Sequence, residues 1–388
     1  MIKVVQFIHG LSMGGAETLV KDYCLYLNKN KFDLTLLCLE HINSPYEIIL
    51  EHNGIKIIYI DDYIHQHKLS KNNLLCRAQR LCLRYYYTIS TLRKLKPDIV
   101  HSHLPVNFYL WLAHFPHTTR IFHTVHSEPY RYWGDNAPML YKIDRWSLRR
   151  LIRNYDTTFI ALHEKMLKEI REIYNVNNTV ILNNGIDFSN YDNLKSKDSM
   201  RKELNIRDDA YVIGHVGRFI DIKNHDFLLD IFEEVIKKVG NAVLLLIGTG
   251  ETKKHILDRV SKENIQDKVI FLENRTDVAN LMGAMDIFVF PSKLEGLPVT
   301  LVEAQKVGLP CIISDNITEK VVVSNLVKRV SISDSALKWA ELVTNTNKLK
   351  PKYQNISRWD IRNVVCTLED LYLGNGSKKN ESNKYNHI

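Results

Sequence analysis

The chain has 388 residues, enough for two domains, with 45% hydrophobic and 25% charged residues and a mean hydropathy of -0.21. These values are typical of a globular protein and exclude disordered and collagen-like chains, and no apolar run approaches the ~20 residues needed to cross a membrane. The net charge is +8, and residues 1–185 hold 23 Lys and Arg against 16 Asp and Glu. A basic first half of this kind favours a polyanion or an anionic lipid surface as partner.

The first residues show neither a signal peptide nor a targeting segment, so we expect a cytoplasmic protein. Six cysteines are scattered through the chain without a C-x-x-C pair, a pattern typical of reduced core thiols.

Short β-branched runs alternate with helical patterns, which predicts βαβ units and parallel sheets. In the first half, we predict strands at 4–8, 34–37, 56–60, 98–102, 121–125, 158–161 and 180–182. Residues 187–209 are polar and read as an interdomain linker that leads into a short helix. In the second half, we predict strands at 211–216, 243–247, 269–272, 287–290 and 311–314, followed by a helix within 356–373 and a disordered tail at 374–388.

The pattern therefore predicts two Rossmann-like domains, with a ligand bound in the loops that follow the strands. We place the N-terminal domain at 1–186, with a helix at 353–373 returning to it, and the C-terminal domain at 187–352.

The loop after the first strand contains Gly14 and Gly15 and runs into a helix, so the backbone can approach a ligand closely and the helix N-terminus favours an anion. A tight strand-to-helix turn explains the same loop equally well. It is not the G-x-G-x-x-G of nicotinamide enzymes.

Arg218 and Lys223 follow the first strand of the second half. Two cations on a strand-to-helix loop can neutralise a diphosphate, Arg218 by bidentate contact and Lys223 as a point charge. A solvated pair of cations is the alternative, which their place at the carboxyl end of a strand disfavours.

The segment 290–310 is the most specific. Pro298 can begin a helix, so that the amides of Val299, Thr300 and Leu301 offer an anion site, with Gly296 in the loop before it. Glu295 in the loop and Glu303 in the helix are suited to bind hydroxyl groups at two ends of an extended ligand. The alternative is a capping carboxylate and a surface residue.

Asn274 and Arg275 lie in the loop after the strand at 269–272, where a nucleotide base could rest, although an ordinary turn is also consistent. Histidines end two strands at His101 and His103 and at His123 and His126, but no third ligand has metal-site spacing. The chain also lacks the Asp-x-Asp triplet that holds a metal on a sugar-nucleotide diphosphate. We therefore expect neither metal nor cofactor, with positive charge supplied by side chains and helix N-termini.

Taken together, the motifs resemble those of the retaining GT-B glycosyltransferases of glycosyltransferase family 4, of the bacterial capsular and exopolysaccharide type. The matching segments are GGAE (14–17), PDIVHSH (97–103), HTVHS (123–127), NNGID (183–187), VGR and KNH (216–225), LIGTGE (246–251), FPS-x-x-EGLP (290–298) and VEA (302–304). They span nearly the whole chain. The sequence GLP after Glu295 departs from many relatives, which leaves the donor open.

The resemblance implies a GT-B fold, two Rossmann-like domains facing across a cleft, and transfer of a hexose or N-acetylhexosamine from a nucleotide sugar, with UDP favoured over GDP. It implies that Gly15 approaches the ligand and that His126 hydrogen-bonds the transferred sugar. It further implies that Arg218 and Lys223 hold the diphosphate, Glu295 the sugar hydroxyls and Glu303 the ribose. Retention by front-face departure and attack is expected because no side chain is an obvious glycosyl nucleophile.

Membrane contact is a separate hypothesis. Residues 68–96 hold eight basic side chains and no acidic one, and residues 142–153 form a second basic helical pattern. Such segments suit an anionic inner leaflet, which would agree with a lipid-linked oligosaccharide as acceptor in surface polysaccharide biosynthesis. Solvated helix faces explain these charges as well.

Two other functions compete with the transferase. A GT-B epimerase acting on a UDP-sugar would share the diphosphate site, and a non-catalytic nucleotide-sugar-binding protein would share the whole ligand site. A nucleic-acid binder is disfavoured because no recognition motif is present. The sequence leaves open the sugar transferred, the acceptor, the linkage and the oligomeric state.

Overall fold

The computed structural model describes residues 1–69, 73–126, 129–133, 138–346 and 349–375. The chain divides into two compact units, one formed by Met1–Gly185 with Arg358–Ile388 and the other by Ile186–Ser357. The predicted boundary after residue 186 lies one residue from this division, and the predicted tail at 374–388 falls almost wholly outside the described residues.

The N-terminal unit is built on a seven-stranded parallel sheet with the order β3-β2-β1-β4-β5-β6-β7. Its strands are β1 (Ile2–Ile8), β2 (Phe32–Cys38), β3 (Lys56–Tyr59), β4 (Ile99–His103), β5 (Arg120–Thr124), β6 (Thr157–Ala161) and β7 (Thr179–Ile181). Its first helices are α1 (Gly15–Tyr26), α2 (Pro45–His52), α3 (Ile60–His65), α4 (Leu74–Leu95), α5 (Asn107–Ala113), α6 (Pro129–Trp133), α7 (Met139–Asn154) and α8 (Glu164–Tyr174).

The C-terminal unit has a six-stranded parallel sheet with the order β10-β9-β8-β11-β12-β13. Its strands are β8 (Tyr211–Val216), β9 (Ala242–Ile247), β10 (Val269–Leu272), β11 (Ile287–Phe290), β12 (Cys311–Ser314) and β13 (Val327–Val330). Its helices are α9 (Lys197–Glu203), α10 (His225–Lys238), α11 (Lys253–Lys262), α12 (Val278–Gly283), α13 (Val299–Val307) and α14 (Ala336–Thr344). A last helix, α15 (Ile361–Tyr372), belongs to the N-terminal unit.

The central strands read as continuous apolar runs because helices cover both faces of a parallel sheet. β11 and β12 are buried at every position. In each unit the strand order reverses beside the first strand, between β1 and β4 and between β8 and β11. Loops at such a reversal leave a crevice at the carboxyl ends of the strands, where ligands of these folds bind.

α15 returns to the N-terminal unit, as predicted. Ile361, Val364, Val365 and Leu368 are buried in one cluster with residues of β1 and α1. Each buried aliphatic side chain contributes about 1.5–3 kcal/mol, so this face alone anchors the helix. Arg120 of β5 donates to the carbonyl oxygens of Tyr372 (2.9 Å) and Leu371 (3.1 Å), which satisfies the end of the helix.

The interpretation of residues 187–209 as an interdomain linker is wrong, because these residues belong to the C-terminal unit, whereas the short helix expected at its end is present as α9. Met200 and Arg201 of α9 are buried, and the Arg201 guanidinium donates to Asp286 (2.6 Å) and to the carbonyl oxygens of Ala284 and Asp208. The segment reads as a linker because most of its polar residues are exposed, while Met200 and Arg201 attach it to the C-terminal unit. Sequence reasoning also missed β13, an edge strand in which Lys328 and Arg329 interrupt the apolar pattern.

Among the described residues, no helix is both long enough and apolar enough to span a bilayer.

Candidate functional site

In the C-terminal unit, two of the predicted site residues form an ion pair. The Nζ atom of Lys223, at the end of a short 3-10 turn after β8, lies 2.7 Å from Oε1 of Glu295, in the loop after β11. Their side chains are only 15% and 11% exposed, and the Lys223 ammonium also lies 4.8 Å from the centroid of the Phe290 ring. The loops that follow β8 and β11 therefore meet at the point where the strand order reverses.

The loop after β9 is fitted against the loop after β8. The amide of Phe219 donates to the carbonyl of Thr249 at 2.8 Å, and Gly248 and Gly250 have φ of +150° and +151°. A Cβ atom at Gly248 would lie 2.1 Å from the carbonyl oxygen of Gly217, and one at Gly250 would lie 2.3 Å from that of Phe219. Only glycine allows this approach, so the LIGTGE segment shapes the backbone that carries Arg218.

Arg218 is exposed, and its guanidinium has no ion-pair or hydrogen-bond partner among the residues that the structure describes. This contrasts with Lys223, whose charge Glu295 compensates. A bidentate donor without a carboxylate partner is able to bind an oxyanion without first breaking an internal bond.

Helix α13 begins directly after this loop, with Pro298 at its N-cap. The amides of Val299 and Thr300 have no hydrogen-bond partner in the described chain, whereas the Leu301 amide donates to the Pro298 carbonyl at 3.2 Å. The Leu301 side chain is wholly buried. The anion site predicted at this helix therefore has two free amides instead of three. Glu303 lies in the second turn and is partly exposed, and Gly296 lies in the loop between the two glutamates.

The loop after β10 is arranged differently from the prediction. The Arg275 guanidinium binds Asp277 at 2.7 and 2.5 Å and lies 3.5 Å from Glu203. Asn274 is exposed and has φ +50°, and β10 is the edge strand. Arg275 is thus held by carboxylates of its own unit, and a contact of either residue with a ligand stays a prediction.

In the N-terminal unit, the glycine pair has two different roles. A Cβ atom at Gly14 would lie 2.3 Å from Oε2 of Glu17, whose other oxygen accepts from Ser12 at 2.8 Å. A side chain at Gly14 would therefore displace the Glu17 carboxylate from its contact with Ser12. A Cβ atom at Gly15 would meet nothing within 4 Å, so the space beside Gly15 is open.

His126 follows β5 and is partly buried. Its Nε2 atom lies 2.9 Å from Nδ1 of His103, at the end of β4. Burial lowers the pKa of His126 to about 4, so the ring is neutral at pH 7. A neutral imidazole at this place acts as a hydrogen-bonding group and not as a cation.

A cavity of about 70 Å³ adjoins His126 within the same unit. Its lining includes Thr124, Trp133, Tyr141 and Asp144. Asp144 is 3% exposed, and burial raises the pKa of its carboxyl to about 7, although Asn107 donates two hydrogen bonds to its Oδ1 atom, at 2.9 and 3.1 Å. Sequence reasoning missed Asp144, because a single acidic residue in a basic helix gives no signal of burial.

No group of three or more His, Cys, Asp or Glu in the described part of the chain is arranged to hold a metal ion. The histidine pairs at the ends of β4 and β5 are instead bonded to each other and to hydroxyl and amide groups.

Comparison with known proteins identifies the family. The family model described as glycosyl transferases group 1 matches residues 196–358, and that described as Glycosyltransferase Family 4 matches residues 13–190. A Bacillus subtilis protein, EpsF, which is a glycosyltransferase by its name, is 30% identical over 95% of this chain and 96% of its own length. The chain belongs to glycosyltransferase family 4.

A second relative and a solved structure add to this comparison. An Escherichia coli protein named UDP-Gal:alpha-D-GlcNAc-diphosphoundecaprenol alpha-1,3-galactosyltransferase is 25% identical over 89% of this chain and 90% of its own length. The crystal structure of Anabaena HepE in complex with UDP-glucose superposes with a TM-score of 0.74, at 16% identity, over 96% of this chain and all of HepE. The family 4 chain therefore has the GT-B type of fold, as its motifs predicted, and is a glycosyltransferase.

Proposed function

We propose that this glycosyltransferase transfers a hexose or N-acetylhexosamine from a UDP-sugar to a sugar acceptor, with retention of the anomeric configuration. The observation that carries the proposal is the arrangement of Arg218, Lys223 and Glu295 on two loops that meet at the strand reversal of the C-terminal sheet. Arg218, which has no side-chain partner among the described residues, and Lys223 provide sites for phosphate, and Glu295 provides a site for hydroxyl groups.

Two kinds of hydrogen-bond donor support a diphosphate site. Arg218 offers its guanidinium, and the free amides of Val299 and Thr300 offer the positive end of α13. When phosphate oxygens approach Lys223, they compete with Glu295 for its ammonium group. Leaving-group charge is then stabilised by side chains and backbone amides, without a step assigned to a metal.

Glu295 and Glu303 are proposed to bind hydroxyl groups of the sugar and of the ribose. A carboxylate accepts two or more hydrogen bonds and repels phosphate, so these residues are suited to the uncharged parts of the donor. The E. coli relative uses UDP-Gal by its name, and HepE was crystallised with UDP-glucose, which favours uracil as the base.

We also propose a lipid-linked acceptor and contact with an anionic membrane surface. The E. coli relative acts on a diphosphoundecaprenol by its name. In this chain the first half of α4 carries apolar side chains that are strongly exposed, Leu74 at 81% and Leu75 at 68%. Basic residues lie between such positions and on α7, where the Arg150 guanidinium stacks on Trp146. Exposed apolar side chains beside cations are the combination that binds to the interface between an anionic membrane and water.

Some of the basic residues of α4 form contacts within the N-terminal unit. Arg84 binds Asp61 at 2.9 Å, and Arg93 donates to the carbonyl of Ala113 at 2.8 Å. The surface proposed for the membrane is therefore the exposed N-terminal half of α4 together with α7.

The donor site is tested by calorimetric titration of UDP and GDP, without added metal, into the wild type and an Arg218→Ala, Lys223→Ala double variant. The matched control is an Arg207→Ala, Lys237→Ala double variant, which removes two exposed cations of the same unit. We expect UDP to bind to the wild type and the control and at least ~100-fold more weakly to the site variant, because two charge-assisted contacts are lost. Equal binding to all three proteins contradicts the site.

The reaction is tested by incubation with UDP-sugars, with and without a diphosphoundecaprenyl sugar acceptor, followed by NMR of the anomeric proton of the product. Transfer with retention supports the proposal. An epimerised sugar nucleotide formed without acceptor would identify the epimerase, and donor binding without turnover would identify a binding protein.

A further inference from the structure

A chain of hydrogen-bonded side chains crosses the core of the N-terminal unit from α15 to His126. The Gln6 amide donates from Nε2 to the Tyr372 hydroxyl at 3.0 Å, and its Oε1 atom lies 2.8 Å from Nε2 of His103. His103 in turn meets His126, with 2.9 Å between its Nδ1 and the Nε2 of His126. Gln6, His103 and Tyr372 are 0–2% exposed, so their polar groups must be satisfied by one another.

With Nε2 of Gln6 facing the Tyr372 hydroxyl, donor and acceptor rules give this network a single direction. The Oε1 atom of Gln6 can only accept, so Nε2 of His103 carries a hydrogen. Burial lowers the pKa of His103 well below its usual range, so the ring is neutral and its Nδ1 atom is an acceptor. The hydrogen between the two histidines therefore belongs to Nε2 of His126, and Nδ1 of His126 carries a lone pair.

Tyr372 connects the Gln6 amide to His101. Its oxygen accepts from Gln6, and the same hydroxyl group lies 2.6 Å from Nδ1 of His101. Nε2 of His101 is hydrogen-bonded to the Thr124 hydroxyl, also at 2.6 Å. Rotation of the Gln6 amide by 180° would exchange donor and acceptor in every hydrogen bond of this network. The state of His126 thus depends on a residue of the last helix that has no hydrogen bond to it.

We propose that Tyr372, Gln6 and His103 are positioning residues that hold His126 as its Nε2–H tautomer, so that Nδ1 accepts a hydrogen bond from a hydroxyl group of the sugar substrate. Nδ1 of His126 has no hydrogen-bond partner within the described residues, and the ring borders the cavity beside Thr124. The identity of the hydroxyl group rests on the proposed function, whereas the tautomer does not.

The tautomer is measured directly by long-range proton–nitrogen NMR of the full chain labelled with ¹⁵N-histidine at pH 7.5. Signals of His126 are assigned by their loss in a His126→Gln variant. We expect a protonated Nε2 and a bare Nδ1 at His126. A hydrogen on Nδ1 of His126 in the wild type overturns the proposal, and this spectrum needs neither a positioning variant nor turnover.

Tyr372→Phe removes the oxygen that orients Gln6. We expect His126 to become a mixture of tautomers and kcat to fall about tenfold, the effect of about one misdirected hydrogen bond, while KM for the donor stays within about twofold. Tyr23→Phe is the matched control. Tyr23 lies in the same core cluster and stacks on His101, but its buried hydroxyl has no hydrogen-bond partner in the described structure. An unchanged His126 spectrum in Tyr372→Phe contradicts the proposal.

The two proposals fail separately. If no UDP-sugar or GDP-sugar is turned over but the Nε2–H spectrum is found, the proposed function is wrong and the tautomer assignment stands. If transfer is measured and His126 carries its hydrogen on Nδ1, the tautomer assignment is wrong and the proposed function stands.

Discussion

Lys223 and Glu295 are 72 residues apart in the sequence, and their charged atoms lie 2.7 Å apart in the structure. The ion pair joins Lys223, which is proposed to bind phosphate, to Glu295, which is proposed to bind hydroxyl groups of the sugar. Their charges cancel, so without a ligand Arg218 is the main source of positive charge on these loops. Under the proposed roles, donor binding divides the pair between two parts of one ligand.

This division predicts opposite effects of two substitutions on nucleotide binding. Glu295→Gln should leave UDP affinity unchanged or slightly higher, because Lys223 is released, but should reduce kcat with a UDP-sugar by about 10–100-fold through loss of a charged hydrogen-bond acceptor. Lys223→Met should weaken UDP itself by about the same factor. Calorimetry and initial rates measure both effects, with Lys237→Met as control. Equal weakening of UDP by both substitutions would show that the pair acts only as a structural unit.

Alanine at Gly248 should destabilise the C-terminal unit by about 2–4 kcal/mol. The new Cβ atom would lie 2.1 Å from the Gly217 carbonyl oxygen at a backbone φ that L-residues rarely adopt. Gly240→Ala is the control, since a Cβ atom there meets nothing within 4 Å and φ is not in the strained range. It should change stability by less than about 1 kcal/mol. Urea unfolding of the two variants makes the comparison, and equal midpoints would contradict the tight fit of the two loops.

The buried carboxyl of Asp144 should make the N-terminal unit less stable as pH rises. Its pKa is about 7 in the folded chain and 3.8 as a free side chain, so the folded state keeps a proton that the unfolded state releases. The stabilisation from the neutral form is complete below pH 4 and is lost between pH 4 and 7, by about 4 kcal/mol at most.

Thermal unfolding of wild type and Asp144→Asn at pH 5 to 8 tests this dependence. Both proteins contain the buried histidines, so the difference between their Tm values removes the contribution of these residues. The pKa values of the histidines are lowered, and their effect on stability with pH is therefore opposite to that of Asp144. The Tm of the wild type should fall relative to that of the variant as pH rises. Parallel curves would show that Asp144 is ionised throughout.

The membrane surface predicts a loss of vesicle binding when exposed leucines on α4 become acidic. Leu75→Glu with Leu81→Glu should reduce binding to vesicles that contain anionic phospholipid by at least ~10-fold, because apolar burial and charge attraction are both lost. Leu257→Glu with Leu337→Glu, on exposed positions of the C-terminal unit, is the control. Sedimentation with vesicles measures binding, and equal binding of both double variants would exclude this surface.

Much of the fold could be predicted because strands in parallel sheets are apolar throughout. The predicted strands at 211–216, 269–272, 287–290 and 311–314 agree with the structure at both ends. β13 could not be predicted, since half of its residues are cations on an edge. The role of α9 depends on Asp286, more than eighty residues away, and no local pattern reveals such a partner.

The sequence indicates candidate site residues where a loop follows a strand, but it does not indicate side chains that meet in the core. Gln6 stands alone among Val4, Val5, Phe7 and Ile8, and a polar residue in an apolar strand is the one signal that could have drawn attention to it. Tyr372 gives no such signal, because an aromatic residue on the buried face of a helix reads as core. Its hydroxyl group acquires a role only through the packing of α15.

The return of α15 to the N-terminal unit also imposes an order on biosynthesis. The ribosome makes the first seven strands, then the whole C-terminal unit, and only afterwards the helix that carries Tyr372. Until that helix emerges, the apolar side chains of β1 and α1 that it covers stay accessible to chaperones and proteases. The Gln6 amide also lacks the Tyr372 hydroxyl, so the direction of the hydrogen bond between His103 and His126 is not yet set. Assembly of the histidine network is therefore a late event in the life of the nascent chain.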